Sequence, residues 1–99
     1  MLEHLTIEQF EPLIGDTFWV EFPNDTKVEL RLVSALKTME SEAARLPRHP
    51  FSLTFIGPKS YQLKQRIYKV THERLGAHEI FLVPIGEQPE TYLYEAAFA

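Results

Sequence analysis

The fold is decided by the stretch Thr71–Phe98, THERLGAHEIFLVPIGEQPETYLYEAAF. It holds two short apolar segments, Ile80–Ile85 (IFLVPI) and Tyr92–Phe98 (YLYEAAF). Successive side chains of a β-strand point to opposite faces, so alternation of apolar and polar residues indicates a strand with one buried face. The terminal segment alternates in this way, whereas IFLVPI is apolar on both faces. We predict a tight hairpin that turns near Gly76, with IFLVPI as its second strand, followed by a terminal strand.

The same alternation continues through most of the remaining chain. Glycine, proline and Asn-Asp turns separate the alternating segments. Because the connections are short, neighbouring strands should pair antiparallel. We therefore predict a mainly β fold, an antiparallel six-stranded barrel-like or strongly curved sheet with one short N-terminal helix, in a single domain of residues 1–99. The predicted strands begin at Thr17, Val28, Phe51, Arg66, Ile80 and Thr91.

The short helix is predicted over Thr6–Ile14. Thr6 and Gln9 have the spacing of a capping box, in which two residues satisfy each other's free backbone donors. Gly15 can adopt the positive φ that often ends a helix. We expect this helix to cover one end of the sheet. Its apolar face carries Ile7, Phe10, Leu13 and Ile14.

The segment Lys37–Pro50, KTMESEAARLPRHP, is long for a connection within one domain. Its alanine and glutamate residues favour helix, while its prolines prevent a strand before Phe51. A helical turn and a mobile loop are both compatible with this composition.

Composition limits the classes of function. The 99 residues carry a net charge of −4 and no basic run, so the electrostatic features of a nucleic-acid-binding protein are missing. The absence of cysteine excludes a disulfide framework and a zinc–thiolate site, and it fits a reducing compartment. No segment approaches the roughly 18 apolar residues of a membrane span, and the first residues lack a signal-peptide pattern. We expect a soluble, cytoplasmic protein that binds neither nucleic acid nor membrane.

The candidates for chemistry are two dipeptides, His72-Glu73 and His78-Glu79, which the hairpin brings to one end of the sheet. Imidazole and carboxylate are common ligands of zinc and other divalent ions. Their spacing is not that of the HExxH motif, and solvated polar turn residues explain them better. No serine lies in the setting of a catalytic nucleophile. We predict no catalytic residue, no metal site and no cofactor, and we favour a protein that is not an enzyme.

Aromatic residues give a stronger indication of function. Trp19 lies on the face of its strand opposite the apolar residues, so it either anchors an interface or is covered by the helix or the long segment. Tyr92 and Tyr94 share a face with Phe98 in the terminal strand. We predict a binding interface that includes Trp19, Phe81, Tyr92 and Tyr94.

Two strands are candidates for contact with a partner. A strand that is apolar on both faces needs cover on both. The terminal strand has the features of a sheet edge, with no lysine or arginine to discourage pairing with another chain. We therefore expect self-association or a protein partner through Ile80–Ile85 or Tyr92–Phe98. In the competing interpretation the N-terminal helix lies over IFLVPI, the sheet closes, and the protein is a monomer.

Three blocks of sequence carry a resemblance: FSLTFIGP (Phe51–Pro58), THERLGAHEIFLVPIG (Thr71–Gly86) and YEAAF (Tyr94–Phe98). Their order is F-x-L-x-F-x-G-P, H-x-x-L-G, F-L-V-P-x-G and Y-E-A-x-F, and they cover nearly a third of the 99 residues. Through these blocks the chain resembles an uncharacterised bacterial family of small domains of unknown function. The resemblance implies no activity, because the family has no catalytic residues to carry over.

Two classes of function follow. The leading hypothesis is a non-enzymatic protein-interaction or assembly module that uses a strand edge or an aromatic face. The alternative is a small-ligand-binding domain or a small enzyme that uses the end of the sheet near His72 and His78. An exposed apolar patch would favour the first class, and a deep polar-lined cavity the second. In either case the core is predicted to contain Leu30, Phe55, Val70 and Leu82.

Overall fold

The computed structural model describes residues 5–38 and 50–98, and within them the fold is mainly β. A short helix, α1 (Ile7–Phe10), continues into a 3-10 turn (Glu11–Leu13). The two alternatives for the segment Lys37–Pro50 concern residues 39–49, which lie outside the described residues. The strands are β1 (Thr17–Glu21), β2 (Lys27–Lys37), β3 (Phe51–Pro58), β4 (Arg66–His72), β5 (Gly76–Glu87) and β6 (Thr91–Phe98).

The six strands form a closed antiparallel barrel in the order β1-β2-β3-β6-β5-β4, with β4 pairing back onto β1. The predicted fold class is confirmed. Closure corrects one expectation: β6 is not a sheet edge, because it pairs with β3 along Thr91–Phe98 and with β5 from Tyr92 to Glu95. An edge strand without lysine or arginine is open to pairing with another chain. In a closed barrel such a strand needs no charged residues, because its neighbours already pair with it.

The first hairpin shows how turn chemistry and register agree. Asp25 has a positive φ of 68°, which aspartate tolerates in a tight turn. The register sets Glu21 opposite Lys27 and Trp19 opposite Glu29. Like charges therefore do not face each other in this hairpin. On the outer wall of β1, Trp19 lies between Glu29 of β2 and Thr71 of β4.

The barrel interior is filled by apolar side chains, and α1 closes one end of it. Phe10 is fully buried, with its ring centroid 5.9 Å from that of Phe51 and 5.8 Å from that of Phe98. The four predicted core residues are confirmed, since none is more than 2% exposed: Leu30, Phe55, Val70 and Leu82.

The predicted N-terminal helix is also confirmed, although its second half is a 3-10 turn. The capping box of Thr6 and Gln9 is present. Pro12 lies in the 3-10 turn, where its missing N–H costs little. Gly15 has a φ of 97°, and its N–H donates to the carbonyl of Leu32 at 2.7 Å, which fastens the end of the helical segment to β2.

The opposite end of the barrel is closed by the connection between β3 and β4. Leu63 is buried there, and its backbone N–H donates to the hydroxyl of Tyr94 at 2.9 Å. The hydroxyl of Tyr68 donates to the carbonyl of Lys64 at 2.6 Å. Burial raises the pKa of both tyrosines. Two core phenols thus hold a connection that has no regular secondary structure.

A bulge interrupts the ladder between β5 and β6. The register shifts between Pro84 and Gly86, so Ile85 is an extra residue on β5. Proline has no N–H to donate to a ladder, so Pro84 fits a position beside a bulge. The bulge leaves Ile85 50% exposed on the wall of the barrel.

Candidate functional site

A group of exposed apolar side chains lies on the outer wall of β4 and β5. Ile67 and Phe81 are directly opposite each other in the β4–β5 register, and they are 62% and 46% exposed. Val83 is half-buried further along β5, and Ile85 follows it in the bulge. We call Ile67, Phe81, Val83 and Ile85 the apolar face.

Most of this face comes from β5, because the segment Ile80–Ile85 is apolar at every position. Ile80 and Leu82 point into the barrel and are buried, so Phe81 and Val83 point outward. The sheet closes, as the competing interpretation required. However, α1 plugs the barrel end and leaves Phe81 exposed, so the idea that this helix covers IFLVPI is wrong.

Charged side chains border the apolar face on both sides. On β4, Lys69 lies opposite Glu79 of β5, and its Nζ is 3.4 Å from Oε1 of Glu21. On β6, Glu95 lies opposite Val83. The face therefore has an apolar centre and a charged rim, which is the usual anatomy of a protein interface.

An open cleft of about 560 Å³ adjoins the apolar face at Ile67. It lies at the end of the barrel where β1 stops and β4 starts, and its lining combines the ring of Phe22 with the charged side chains of Arg66 and Glu21. The hydrogen bond from the Thr71 hydroxyl, with a further contribution from a neighbouring lysine, holds the pKa of Glu21 below its usual value. Glu21 is therefore a carboxylate that is already paired within the chain.

The two histidines lie at the other end of the barrel, and His72 is buried. Its Nδ1 accepts hydrogen bonds from the backbone N–H groups of Arg74 at 3.0 Å and Leu75 at 3.3 Å. An accepting ring nitrogen carries no proton, so Nε2 carries it and donates to Oδ2 of Asp16 at 2.9 Å. The ring of Phe18 covers the imidazole at 4.6 Å between centroids. Both ring nitrogens are engaged within the chain, and neither is free to bind a metal or to act as a base.

Asp16 is the charged member of this cluster. The hydrogen bond from His72, reinforced by Arg74 at 3.3 Å, holds the pKa of Asp16 below its usual value, against the opposing effect of burial. Nε2 of His78 donates to the carbonyl of Leu75 at 2.9 Å. Within residues 5–38 and 50–98, no group of three or more His, Cys, Asp or Glu could hold a metal ion. The hydrogen bonds of the two histidines therefore stabilise the β4–β5 turn.

The four residues predicted to form an interface do not share one surface. Phe81 belongs to the apolar face. Trp19 is 39% exposed on β1 and is separated from Phe81 by β4. Tyr92 is half-buried, with Nζ of Lys59 5.0 Å from its ring centroid. Tyr94 is fully buried and points into the barrel, so its side chain does not reach the surface.

A family model described as a domain of unknown function (DUF6916) matches residues 5–98. The chain belongs to this family. The resemblance drawn from the sequence blocks is thereby confirmed for a domain family of unknown function. No curated protein and no solved structure matches the chain. In the described part of the chain, no helix is long and apolar enough to cross a membrane.

The sequence-based choice of interface residues did not include three members of the apolar face: Ile67, Val83 and Ile85. Alternation in β4 places Ile67 on the face opposite the buried Tyr68, and this pattern was the available indication. The position of Ile67 opposite Phe81 depends on strand register, which a single sequence specifies weakly. Members of one surface that come from two strands therefore escaped a strand-by-strand analysis.

Proposed function

We propose that this domain is a non-enzymatic protein-interaction or assembly module that docks a protein partner on the apolar face. The observation that carries the proposal is the pair Ile67 and Phe81, two large apolar side chains that lie opposite each other and are 62% and 46% exposed. Contiguous exposed apolar surface on a small protein commonly marks an interaction site. We also propose a cytoplasmic location, on the ground that the chain contains no cysteine for a disulfide.

Barrel closure favours contact through side chains. Each of the six described strands pairs with two neighbours, so none of them is a whole free edge that a partner strand could extend. An aromatic side chain in the middle of a patch is the usual energetic centre of an interface. Phe81 has this position, with Ile67 beside it and Lys69, Glu79 and Glu95 around it.

Site-specific photocrosslinking in cells of the native host tests the proposal. A benzophenone amino acid at Phe81 keeps an aromatic ring on the apolar face and reacts only with groups in contact with it. We expect covalent protein adducts of the chain after irradiation. The matched control places the same amino acid at Trp19, which is 39% exposed but lies on β1, outside the apolar face. Adducts no stronger at Phe81 than at Trp19 would overturn the proposal.

A second candidate function, small-ligand binding, is favoured by the cleft beside Ile67. Its volume of about 560 Å³ is within the range of small-molecule sites. The cleft lies at the opposite end of the barrel from His72 and His78. The ligand site proposed here is therefore different from the one near the histidines that the sequence suggested. A fragment screen followed by amide chemical shifts tests it. We expect shifts confined to the surroundings of Phe22 and Arg66, and fragments that shift neither region would remove this candidate.

A further inference from the structure

We propose that the partner on the apolar face is a second copy of this chain, docked across a two-fold axis that passes through Phe81. This inference rests on the proposed function, because it names the partner of the same face. Closed cyclic dimers are the commonest homo-oligomers, and in them one surface patch meets its own copy. The patch must then be complementary to itself, and the positions of its charges show whether it is.

The register of the three strands places two opposite charges symmetrically about Phe81. Ile67 is opposite Phe81, so Lys69 lies one strand away and one outward-facing position along β4. Val83 is opposite Glu95, so Glu95 lies one strand away on the other side and one outward-facing position along in the opposite direction. Diagonal neighbours on a sheet are about 7–8 Å apart. Phe81 is therefore midway between a cation and an anion.

A two-fold axis in the contact plane, perpendicular to the line from Lys69 to Glu95, brings these charges together. Lys69 of each protomer faces the partner's Glu95, and the reverse contact follows from the symmetry. Phe81 meets the partner's Phe81 at the axis, and Ile67 falls on the partner's Val83. The same operation sets Glu79 against the partner's Ala97, which lies two residues beyond Glu95, so this carboxylate does not face another one.

Lys69 can make the second contact without losing its first. Its side chain is 59% exposed while Nζ is 3.4 Å from Glu21. An ammonium group has three donors, and one carboxylate leaves donors for another. A charge pair across the rim supplies orientation more than affinity, whereas the apolar centre supplies the contact energy.

A dimer needs only a modest share of the molecular surface. A standard interface buries about 800 Å² on each partner. The accessible surface of the molecule is 6381 Å², so this requirement is about one eighth of it. The wall formed by β4, β5 and β6 is three of the six strands of the barrel. Because the wall is curved, Phe81 makes the closest contact, and we expect a weak dimer with a Kd in the micromolar range.

Sedimentation equilibrium of the purified protein, from about 5 to 500 µM, tests the association. We expect a concentration-dependent dimer, with a Kd at least about tenfold higher in Phe81→Ser because the central contact is lost. Trp19→Ser removes an aromatic side chain of similar exposure outside the apolar face, and it should leave the Kd unchanged. A wild-type protein that stays monomeric over the whole range, or an equal loss in both variants, would overturn the proposal.

Charge reversal tests the position of the axis. Lys69→Glu and Glu95→Lys should each weaken the dimer, and the double variant should restore it to within a few-fold, because the two positions exchange signs. Loss in both single variants without recovery in the double variant overturns this axis. Circular dichroism of each variant verifies folding. If a variant fails to fold, a chain whose only change is benzophenone at Phe81 replaces it. After irradiation, this purified protein should crosslink to a second copy, at a site within residues 67–83 of that copy.

The two proposals can fail separately. If the purified protein is monomeric but benzophenone at Phe81 captures a different protein in the native host, the second copy is excluded and the interaction function stands. If neither the purified protein nor the cells yield adducts at Phe81, both proposals are excluded.

Discussion

His72 shows how one polar side chain can fasten two distant parts of a small barrel. It accepts two backbone hydrogen bonds in the β4–β5 turn and donates to Asp16, which lies 56 positions earlier in the chain. Asp16 directly precedes β1, and His72 ends β4. These two strands form the pairing that closes the barrel. A buried imidazole with both ring nitrogens hydrogen-bonded thus links the two strands whose pairing closes the barrel.

Asp16 should make stability depend on pH in the acidic range. Its pKa is lowered in the folded chain from an ordinary value of 3.8, so its stabilising effect is complete above that value and is lost as the pH falls through the lower, folded value. In Asp16→Asn this contribution is absent. The free energy of unfolding of the variant, measured with urea, should therefore decrease less steeply than that of the wild type below about pH 4.

The control is Asp25→Asn, a carboxylate in the β1–β2 turn whose positive φ of 68° asparagine also tolerates. This variant removes a carboxylate at the opposite end of β1 from Asp16, so it controls for the loss of one negative charge. If the free energy of unfolding had the same pH dependence in Asp16→Asn and in the wild type, the stabilising effect of the His72–Asp16 hydrogen bond would not depend on the charge of Asp16.

At the scale of elements, α1 is a helix that packing creates. With four residues it is far below the length at which a helix is stable alone. It persists because Phe10 enters the barrel end among three aromatic rings, those of Phe18, Phe51 and Phe98. The helix is therefore part of the core, and the barrel end is the element that orders it.

Phe10→Ala should destabilise the protein by about 3–5 kcal/mol, because it removes a fully buried ring and leaves a cavity at the barrel end. Urea unfolding measures this change in the free energy of unfolding. Glu8→Ala, an exposed substitution in the same helix, should change it by no more than about 0.5 kcal/mol. Equal midpoints for the two variants would mean that α1 does not plug the barrel.

The elements were predictable because their causes are local. Alternation reports side-chain direction within one strand, so it identified the strands and placed Leu30 and Leu82 in the core. Contacts between distant segments were not predictable in the same way. The burial of His72 depends on Asp16, and the exposure of Phe81 depends on where α1 packs. The burial of Tyr94, by contrast, could have been predicted from local alternation, because Tyr94 shares a face of β6 with the apolar Phe98.

At the scale of the whole molecule, closure decides how this domain can meet a partner. An open sheet offers backbone groups along its edges, whereas each of the six described strands has a paired neighbour on both sides. The recognition that we propose therefore depends on side chains of the outer wall. Strand β5, which is apolar on both faces over Ile80–Ile85, supplies these side chains. Its inner residues fill the barrel and its outer residues remain at least partly exposed. The same apolar sequence thus contributes both to the core and to the apolar face.

Closure itself predicts a pattern of hydrogen exchange in β6. Alternate N–H groups of a strand point to opposite neighbours, and β6 has a paired neighbour on each side, β3 and β5. Consecutive amides from Leu93 to Glu95 should therefore exchange as slowly as those of Leu53 and Phe55 in β3, when followed by nuclear magnetic resonance in deuterated buffer. If the sheet ended at β6, every second amide would point to solvent and exchange rapidly. Alternation of fast and slow amides from Leu93 to Glu95 would consequently show an open sheet, and a partner strand could then bind at its edge.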